Sequence, residues 1–313
     1  EGDFRLSFPL DKDRFERRKY MELLMQQLVN GLAVGSIYAL IALGYTMVYG
    51  TIKLINFAHG DVYMMGAFIG YFAVMVLKMN VFVALLVAMV ACAVLGVVIE
   101  RVAYKPLRNS TRVAALITAI GVSYLLENAM SYFFGAESRP FPSDFGTETI
   151  TLFGDVSVNG KQILIFGVTV VLMALLQFIV RYTKMGKAMR AVAVDEQAAQ
   201  LMGIDVDGVI SFTFALGSAL AGIAGVLVGV YYNTISTTMG ITVGLKAFVA
   251  AVLGGIGSIP GAMVGGYLIG LLETMVSFFG YSPYRDGVVY FLLFIILIVL
   301  PAGLFGKNVR EKV

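Results

Sequence analysis

Long apolar stretches recur along most of the chain, and short polar segments separate them. A helix that crosses a membrane needs about 20 mostly apolar residues, so each stretch predicts a membrane-spanning helix or part of one. Several stretches are short for a full crossing. The pattern therefore predicts an all-α, polytopic membrane helical bundle of eight or nine spans with short broken or re-entrant segments. The stretches lie at residues 23–49, 62–77, 81–99, 113–134, 163–180, 208–231, 243–256, 262–279 and 287–303.

Residues 1–20 stand apart from this pattern. They are rich in charge and lack an apolar core long enough for a signal peptide. A strongly apolar segment then begins at Met21. We interpret 1–20 as a leader or N-terminal extension and 21–313 as a single transmembrane domain. The alternative is that 1–20 is a native amphipathic tail at the membrane interface.

The polar segments differ in the sign of their charge. Basic side chains dominate 100–112 and the first ten residues of 181–207, whereas acidic side chains outnumber basic ones in 135–161. Because lysine and arginine are enriched in cytoplasmic loops, we expect 100–112 and 181–207 on the cytoplasmic side and 135–161 outside. The pattern does not decide on which side of the membrane the N-terminus lies. A full first span places it outside, whereas a segment at 50–61 that enters the membrane and returns places it inside. We also expect the C-terminal tail on the cytoplasmic side, because it contains Lys307, Arg310 and Lys312.

Composition narrows the possible functions. Hydrophobic residues make up 59% of the chain and charged residues 14%, against roughly 25% charged in soluble domains. These values exclude a soluble enzyme, a disordered chain and a nucleic-acid-binding protein, and a net charge of +3 gives no argument for a polyanionic partner. With a single cysteine, Cys92, and a single histidine, the chain has no intrachain disulfide, and we expect no metal site and no bound cofactor.

Glycine is abundant, with 35 residues, and many of them recur at a spacing of four. Small residues at this spacing let helices pack closely in lipid, so we expect them to form packing faces. Glycine and proline also interrupt the apolar pattern at 51–61 and 253–262, where freed backbone groups cannot face lipid. Such breaks mark the central site of many transporters; the alternative is a plain turn between helices. The packing faces are Gly31, Gly35 and Ala39; Gly217, Ala221, Gly225 and Gly229; Gly261 and Gly265; and Gly266 and Gly270. The broken-helix glycines are Gly60, Gly254, Gly255, Gly257 and Gly261.

Polar and ionisable side chains at membrane depth are functional candidates by default. Glu127 and Glu273 lie within apolar stretches, and Lys246 begins one, where we expect it to extend to the membrane interface. The alternative for the whole set is hydrogen bonding or ion pairing between helices. The candidates for a translocation path are Asn30, Tyr38, Asn56, His59, Thr118, Asn128 and Glu273.

The segment 181–207 predicts a short capped helix. Asp195 is a good N-cap and Gly203 is well placed as a C-cap glycine. Ala198, Ala199, Leu201 and Met202 give the helix a small apolar face. That face is suited either to a groove on another protein or to the inner surface of the bundle itself, and the pattern alone favours the second.

Four long motifs together resemble the permease subunits of branched-chain amino acid ABC importers, and most closely the first of their two related permeases. The resemblance covers 21–313. It implies a translocation subunit, not an enzyme. It also implies that 181–204 is a coupling helix that contacts an ATPase, which reverses the preference for packing on the inner surface of the bundle. The motifs are GLAVGSIYALIALGYTMVYGTIKLINFAHGDVYMMG at 31–66, ERVAYKPLR at 100–108, RYTKMGKAMRAVAVDEQAAQLMGI at 181–204 and KAFVAAVLGGIGSIPGAMVGG at 246–266. The ATPase-facing positions that it implies are Arg190, Ala191, Asp195, Ala199, Met202 and Gly203.

The resemblance also implies partners and a location. These are a second related permease, two cytoplasmic ATPase subunits that bind ATP and magnesium, a periplasmic amino-acid-binding protein, and the lipid of the cell inner membrane. The chain itself lacks a P-loop, since its nearest approach, 154–162, has one residue too many and no Ser/Thr after the lysine. Two alternatives stay open: a permease of the same family for urea or another small amide, and a self-sufficient secondary transporter or channel.

Overall fold

The computed structural model describes residues 9–108, 110–142, 145–153 and 156–306. The three basic side chains of the predicted cytoplasmic tail, the first eight residues of the predicted leader, and two positions of the nearest P-loop approach, Gly154 and Asp155, lie outside the described residues. Helix is continuous across the predicted boundary between 1–20 and 21–313, because the first helix runs without a break from Pro9 to Ile52.

The described residues form eleven α-helices and four short strands. The helices are α1 (Pro9–Ile52), α2 (His59–Met75), α3 (Val81–Ile99), α4 (Arg112–Phe134), α5 (Gly160–Tyr182), α6 (Lys184–Val194), α7 (Glu196–Leu201), α8 (Val206–Tyr232), α9 (Met239–Gly254), α10 (Ile259–Phe278) and α11 (Arg285–Val299). The strands are β1 (Arg139–Pro140), β2 (Thr149–Phe153), β3 (Val156–Asn159) and β4 (Thr234–Ile235); β1 pairs with β4 and β2 with β3, both antiparallel.

Nine of these helices fall on the nine apolar stretches of the sequence, and the all-α, multi-pass architecture is confirmed. Among the described residues, seven helices are long and apolar enough to cross a membrane: α1, α3, α4, α5, α8, α10 and α11. The other two, α2 and α9, have 17 and 16 residues. The predicted count of eight or nine spans is reached only when these shorter helices also cross.

Two helices form the centre of the bundle. In the most apolar 18-residue segment of each helix, 94% of α1 and 83% of α8 is buried inside the protein, whereas only 17% of α4 and 11% of α11 is buried. A hydrophobic side chain on an outer helix needs no protein cover in lipid, since lipid tails are as apolar as leucine. The outer helices therefore present an apolar surface, and the inner helices are held by close packing.

Close packing of α1 on α10 uses the predicted glycine faces. A Cβ atom added to Gly31 would lie 3.1 Å from Leu271 Cα, and one added to Gly50 would lie 3.5 Å from Gly257 Cα. The start of α1 thus lies beside the end of α10, and the two helices are antiparallel. The Ser157 N–H of β3 donates to Gln26 Oε1 at 2.9 Å, so the start of α1 shares one end of the bundle with the 135–161 segment.

One of the close approaches of α1 and α10 gives a stability prediction. A Cβ atom on Gly266 of α10 would lie 2.5 Å from Ala39 Cα of α1, and extra atoms in a well-packed interior cost about 1–3 kcal/mol. Gly266→Ala is therefore expected to lower the thermal unfolding midpoint of the purified protein, although alanine is the better helix former by about 1 kcal/mol. The matched control is Gly121→Ala on exposed α4, where no described atom lies within 4 Å of the added carbon. Equal midpoints for the two variants would contradict the packing argument.

Candidate functional site

A network of charged side chains joins three helices at the middle of α9, with a buried ion pair at its centre. Lys246 of α9 places Nζ 2.9 Å from Glu273 Oε1 of α10 and 2.7 Å from Asp286 Oδ1 at the start of α11. Lys246 and Glu273 are only 3% and 4% exposed. The expectation that Lys246 extends to the membrane interface was wrong, because two carboxylates hold its ammonium group inside the protein.

The same network reaches the central helix α1. The Tyr38 hydroxyl donates to Glu273 Oε2 at 2.5 Å, and Arg285 Nε lies 3.4 Å from Glu273 Oε1. Two acids and two bases therefore balance each other, which offsets part of the penalty for burying Lys246 and Glu273. The group borders a cavity of about 140 Å³ whose other walls include apolar side chains of α1 and α8.

The first broken segment lies between α1 and α2; Asn56 and Ala58 are buried in protein, whereas Lys53 is exposed. Lys53 turns the chain with a positive φ of 57°, and the Asn56 side chain, 2% exposed, accepts a hydrogen bond of 2.9 Å from the Tyr104 hydroxyl. The His59 ring is buried against Tyr45, with centroids 4.8 Å apart. This agrees with the rule that irregular backbone at membrane depth is covered by protein.

Gly60, at the start of α2, provides the close contact of this segment with α9. A Cβ atom at Gly60 would lie 3.1 Å from Gly244 Cα and would overlap the Gly240 carbonyl. The break thus delivers the first turn of α2, and with it Asp61, into the interior of the bundle, where Asp61 is 1% exposed.

The second broken segment, at 253–262, is a tight turn between α9 and α10. Gly255 and Gly257 have φ values of +100° and +94°, which glycine tolerates best. Ser258 caps α10 by accepting a bond of 3.3 Å from the Gly261 N–H. The turn is covered by the chain after α11, because the Leu304 N–H donates to the Leu253 carbonyl at 2.8 Å. The segment is therefore a turn between two helices, and its part in a central transport site stays a prediction.

The predicted path residues do not form one cluster. Tyr38 and Glu273 are bonded to each other, whereas Asn56 and His59 lie in the first broken segment. Asn30 accepts a hydrogen bond of 2.8 Å from Gln162 at the start of α5. The remaining two lie on the outer helix α4, where Thr118 is half-buried and Asn128 is exposed.

The segment 181–207 folds into α6 and α7 with the predicted caps. Asp195 Oδ1 accepts a bond of 2.9 Å from the Ala198 N–H, and Gly203 has a φ of +81°. The Ile204 N–H donates to the Ala199 carbonyl at 3.1 Å, which is the six-to-one bond of a Schellman C-cap. The local sequence therefore specifies this short helix by its ends.

The two sides of α7 differ in what they contact. Leu201 and Met202 are 88% and 83% exposed, whereas Ala199 is 4% exposed. The assignment of Ala199 as an ATPase-facing residue is therefore corrected, because the bundle itself covers that side chain. Arg190, although exposed, donates to the backbone carbonyls of Val180 and Arg181 at the end of α5. Of the other assigned positions, Ala191 is half-buried and Asp195 is exposed.

Some polar groups of the structure escaped the sequence-based candidate list. Asp286 completes the Lys246 network, and Ser123 of α4 donates to the buried carboxylate of Asp61. Glu100, fully buried at the end of α3, pairs with Arg108 and accepts a bond of 2.6 Å from Ser211 of α8. The charges of Asp61 and Glu100 within the recognised motifs were the available signal, but the serine hydroxyls that donate to them, Ser123 and Ser211, lie 62 and 111 residues away along the chain.

Known proteins resemble this chain over nearly its whole length. A family model described as the branched-chain amino acid transport system, permease component, matches residues 27–298. The high-affinity branched-chain amino acid transport system permease protein LivH of Escherichia coli (strain K12) is 44% identical over 300 residues, which are 92% of this chain and 97% of that protein. The permease protein BraD of Pseudomonas aeruginosa, of the same description, is 44% identical over 92% of this chain and 98% of its own length.

Among solved structures, PsaBC from Streptococcus pneumoniae in complex with Fab is similar at a TM-score of 0.46 and 14% identity, covering 90% of this chain and 92% of that one. The family assignment depends on the sequence matches alone, which exceed half of the chain in every case. This chain therefore belongs to the family of permease components of branched-chain amino acid transport systems.

Proposed function

We propose that this chain is a permease subunit of an ATP-binding-cassette importer that moves leucine, isoleucine and valine into the cytoplasm. The observation that carries the proposal is the family match over 27–298, together with 44% identity to two permeases whose names state high-affinity branched-chain amino acid transport. A periplasmic binding protein delivers the amino acid, a second related permease completes the pathway, and ATP is hydrolysed on two separate cytoplasmic subunits.

We further propose nine crossings of the inner membrane, with the start of α1 outside. The helix α2 packs mainly against α8, and α9 packs against α1, α2 and α10. A chain that alternates through nine helices places 100–112 and 181–207 at the same end. The antiparallel packing of α1 and α10 and the bond of Gln26 to Ser157 support an outside start, since 135–161 is the segment with the acidic excess.

The exposed apolar side of α7 is the proposed contact with an ATPase subunit. Leu201 is 88% exposed, so its replacement removes little packing from this chain. Leu201→Asp is expected to leave membrane insertion intact and to prevent retention of the ATPase subunits, because a buried unpaired carboxylate costs several kcal/mol. Co-purification from the native membrane measures this, with Val194→Asp as a comparison at an equally exposed position, 88%, that lies on α6. Retention of the ATPases by Leu201→Asp at the wild-type level would contradict the assignment.

The proposed substrate is tested by competition. Uptake of labelled leucine by membrane vesicles that hold the complete importer is measured with a tenfold excess of unlabelled isoleucine, valine, urea or a short amide. We expect isoleucine and valine to compete and urea and the amide to have no effect. Competition by urea or the amide, without competition by isoleucine or valine, would favour the alternative function, a permease of the same family for urea or another small amide.

A further inference from the structure

A second cavity lies between α2, α4 and α9, away from the Lys246 network. Its volume is about 140 Å³. Its polar wall includes Asp61 of α2, Ser123 of α4 and Tyr45 of α1, and its apolar wall includes Ile120, Ile241 and Leu245. The last three side chains are 37–40% exposed, so the cavity reaches the outer surface of the chain beside α4.

Asp61 is the unusual group of this cavity. It is 1% exposed, and its Oδ2 accepts a hydrogen bond from the Ser123 hydroxyl. Its Oδ1 has no hydrogen-bond partner among the described residues. Within the same described ranges, no basic side chain forms an ion pair with Asp61. The other two buried acids, Glu100 and Glu273, are each paired with a basic residue. Asp61 is thus a buried carboxylate whose charge the described residues leave unbalanced.

The surroundings of Asp61 add negative charge and no positive charge. Glu127 follows Ser123 by four residues on α4, so the two side chains lie on one face of that helix. An acid at membrane depth is costly unless a cation or hydrogen-bond donors balance it. A group with a positive charge and several N–H donors would balance the Asp61 carboxylate, and the neighbouring apolar wall fits a hydrocarbon chain.

We propose that Asp61, supported by Ser123, binds the α-ammonium group of the transported amino acid while Ile120, Ile241 and Leu245 contact its aliphatic side chain. The inference rests on the proposed function, since that function supplies a substrate with an ammonium group and a branched hydrocarbon. The site is one half of a binding site, because the substrate carboxylate meets no basic group of the cavity wall. Its open side beside α4 is where the second permease supplies the remaining contacts.

The test uses the complete importer in proteoliposomes, with labelled leucine, the binding protein and ATP. Asp61→Asn keeps the shape of the side chain and removes its charge. We expect leucine uptake to fall at least tenfold while the ATPase subunits still co-purify, and Asp61→Glu to retain a measurable part of the uptake. The control is Glu137→Gln, which removes one exposed acid outside the cavity and should leave uptake unchanged. Uptake by Asp61→Asn at the wild-type rate would overturn the proposal.

A second pair of variants keeps the proposal testable when Asp61→Asn does not assemble. Ile120→Trp fills the cavity from its exposed wall, and Ile117→Trp places the same ring on the same helix at a position 61% exposed and outside the cavity. We expect a large loss of uptake for Ile120→Trp and no such loss for Ile117→Trp. Equal uptake by the two variants would overturn the proposal. Failure of the wild-type complex to import leucine is a different result, since it rejects the proposed function itself.

Discussion

Lys246→Met is expected to destabilise the protein strongly. It removes the ammonium group that lies between Glu273 and Asp286 and leaves Glu273, whose side chain is 6% exposed, without its closest cation. Breaking a buried ion pair by removing one partner costs about 3–5 kcal/mol. The purified protein should therefore unfold at a clearly lower temperature than the wild type. Lys78→Met is the matched control, because Lys78 is exposed.

A double variant separates the loss of the pair from the loss of the lysine side chain. In Lys246→Met/Glu273→Gln no uncompensated charge is left at position 273, and the amide oxygen of the new glutamine can still accept the Tyr38 hydrogen bond. We expect this variant to recover much of the lost thermal stability. If the double variant is no more stable than Lys246→Met, the network does not stabilise the fold through charge balance.

Gly203→Val is expected to abolish most ATP-driven uptake while membrane insertion persists. Gly203 ends α7 with a φ of +81°, and a β-branched residue is a genuine outlier at positive φ. The end of α7 should therefore shift, and with it the exposed side chains of Leu201 and Met202. The space around the position is open, since no described atom beyond the two neighbouring residues lies within 4 Å of an added Cβ, so the backbone conformation carries the effect.

Gly203→Asn is the matched variant for this prediction. Asparagine is of similar size to valine but adopts positive φ several times more often than most residues. We expect Gly203→Asn to import leucine at a rate near that of the wild type. The measurement is ATP-driven uptake in proteoliposomes at equal amounts of inserted permease. Wild-type uptake by Gly203→Val would argue against a coupling role for α7.

Local signals in the sequence were enough to locate the nine apolar helices and the two ends of α7. The apolar stretches located nine helices, and Asp195 and Gly203 located the two ends of α7, because caps depend on backbone groups within a few residues. The glycine spacing located the faces by which α1 and α10 meet, since only small residues permit that approach. These features depend on neighbours in the sequence or on one helical face, and both are visible in a single chain.

Long-range pairing could not be predicted in the same way. Lys246 was expected at the interface because it begins an apolar stretch, yet Glu273 and Asp286 lie 27 and 40 residues further along the chain on other helices. Ala199 was assigned to the outer side of α7, and the packing of α7 on the bundle decided otherwise. Asp61 was passed over beside His59, because only the fold shows that one of its two oxygens has no partner.

The most direct test of the central claim is leucine uptake by reconstituted vesicles that contain this chain with and without its proposed partners. The account predicts ATP-driven uptake when the second permease, the ATPase subunits and the binding protein are all present, and loss of uptake when the ATPases are omitted. Uptake by this chain alone, at a rate that ATP does not change, would contradict the account and would favour a self-sufficient transporter or channel.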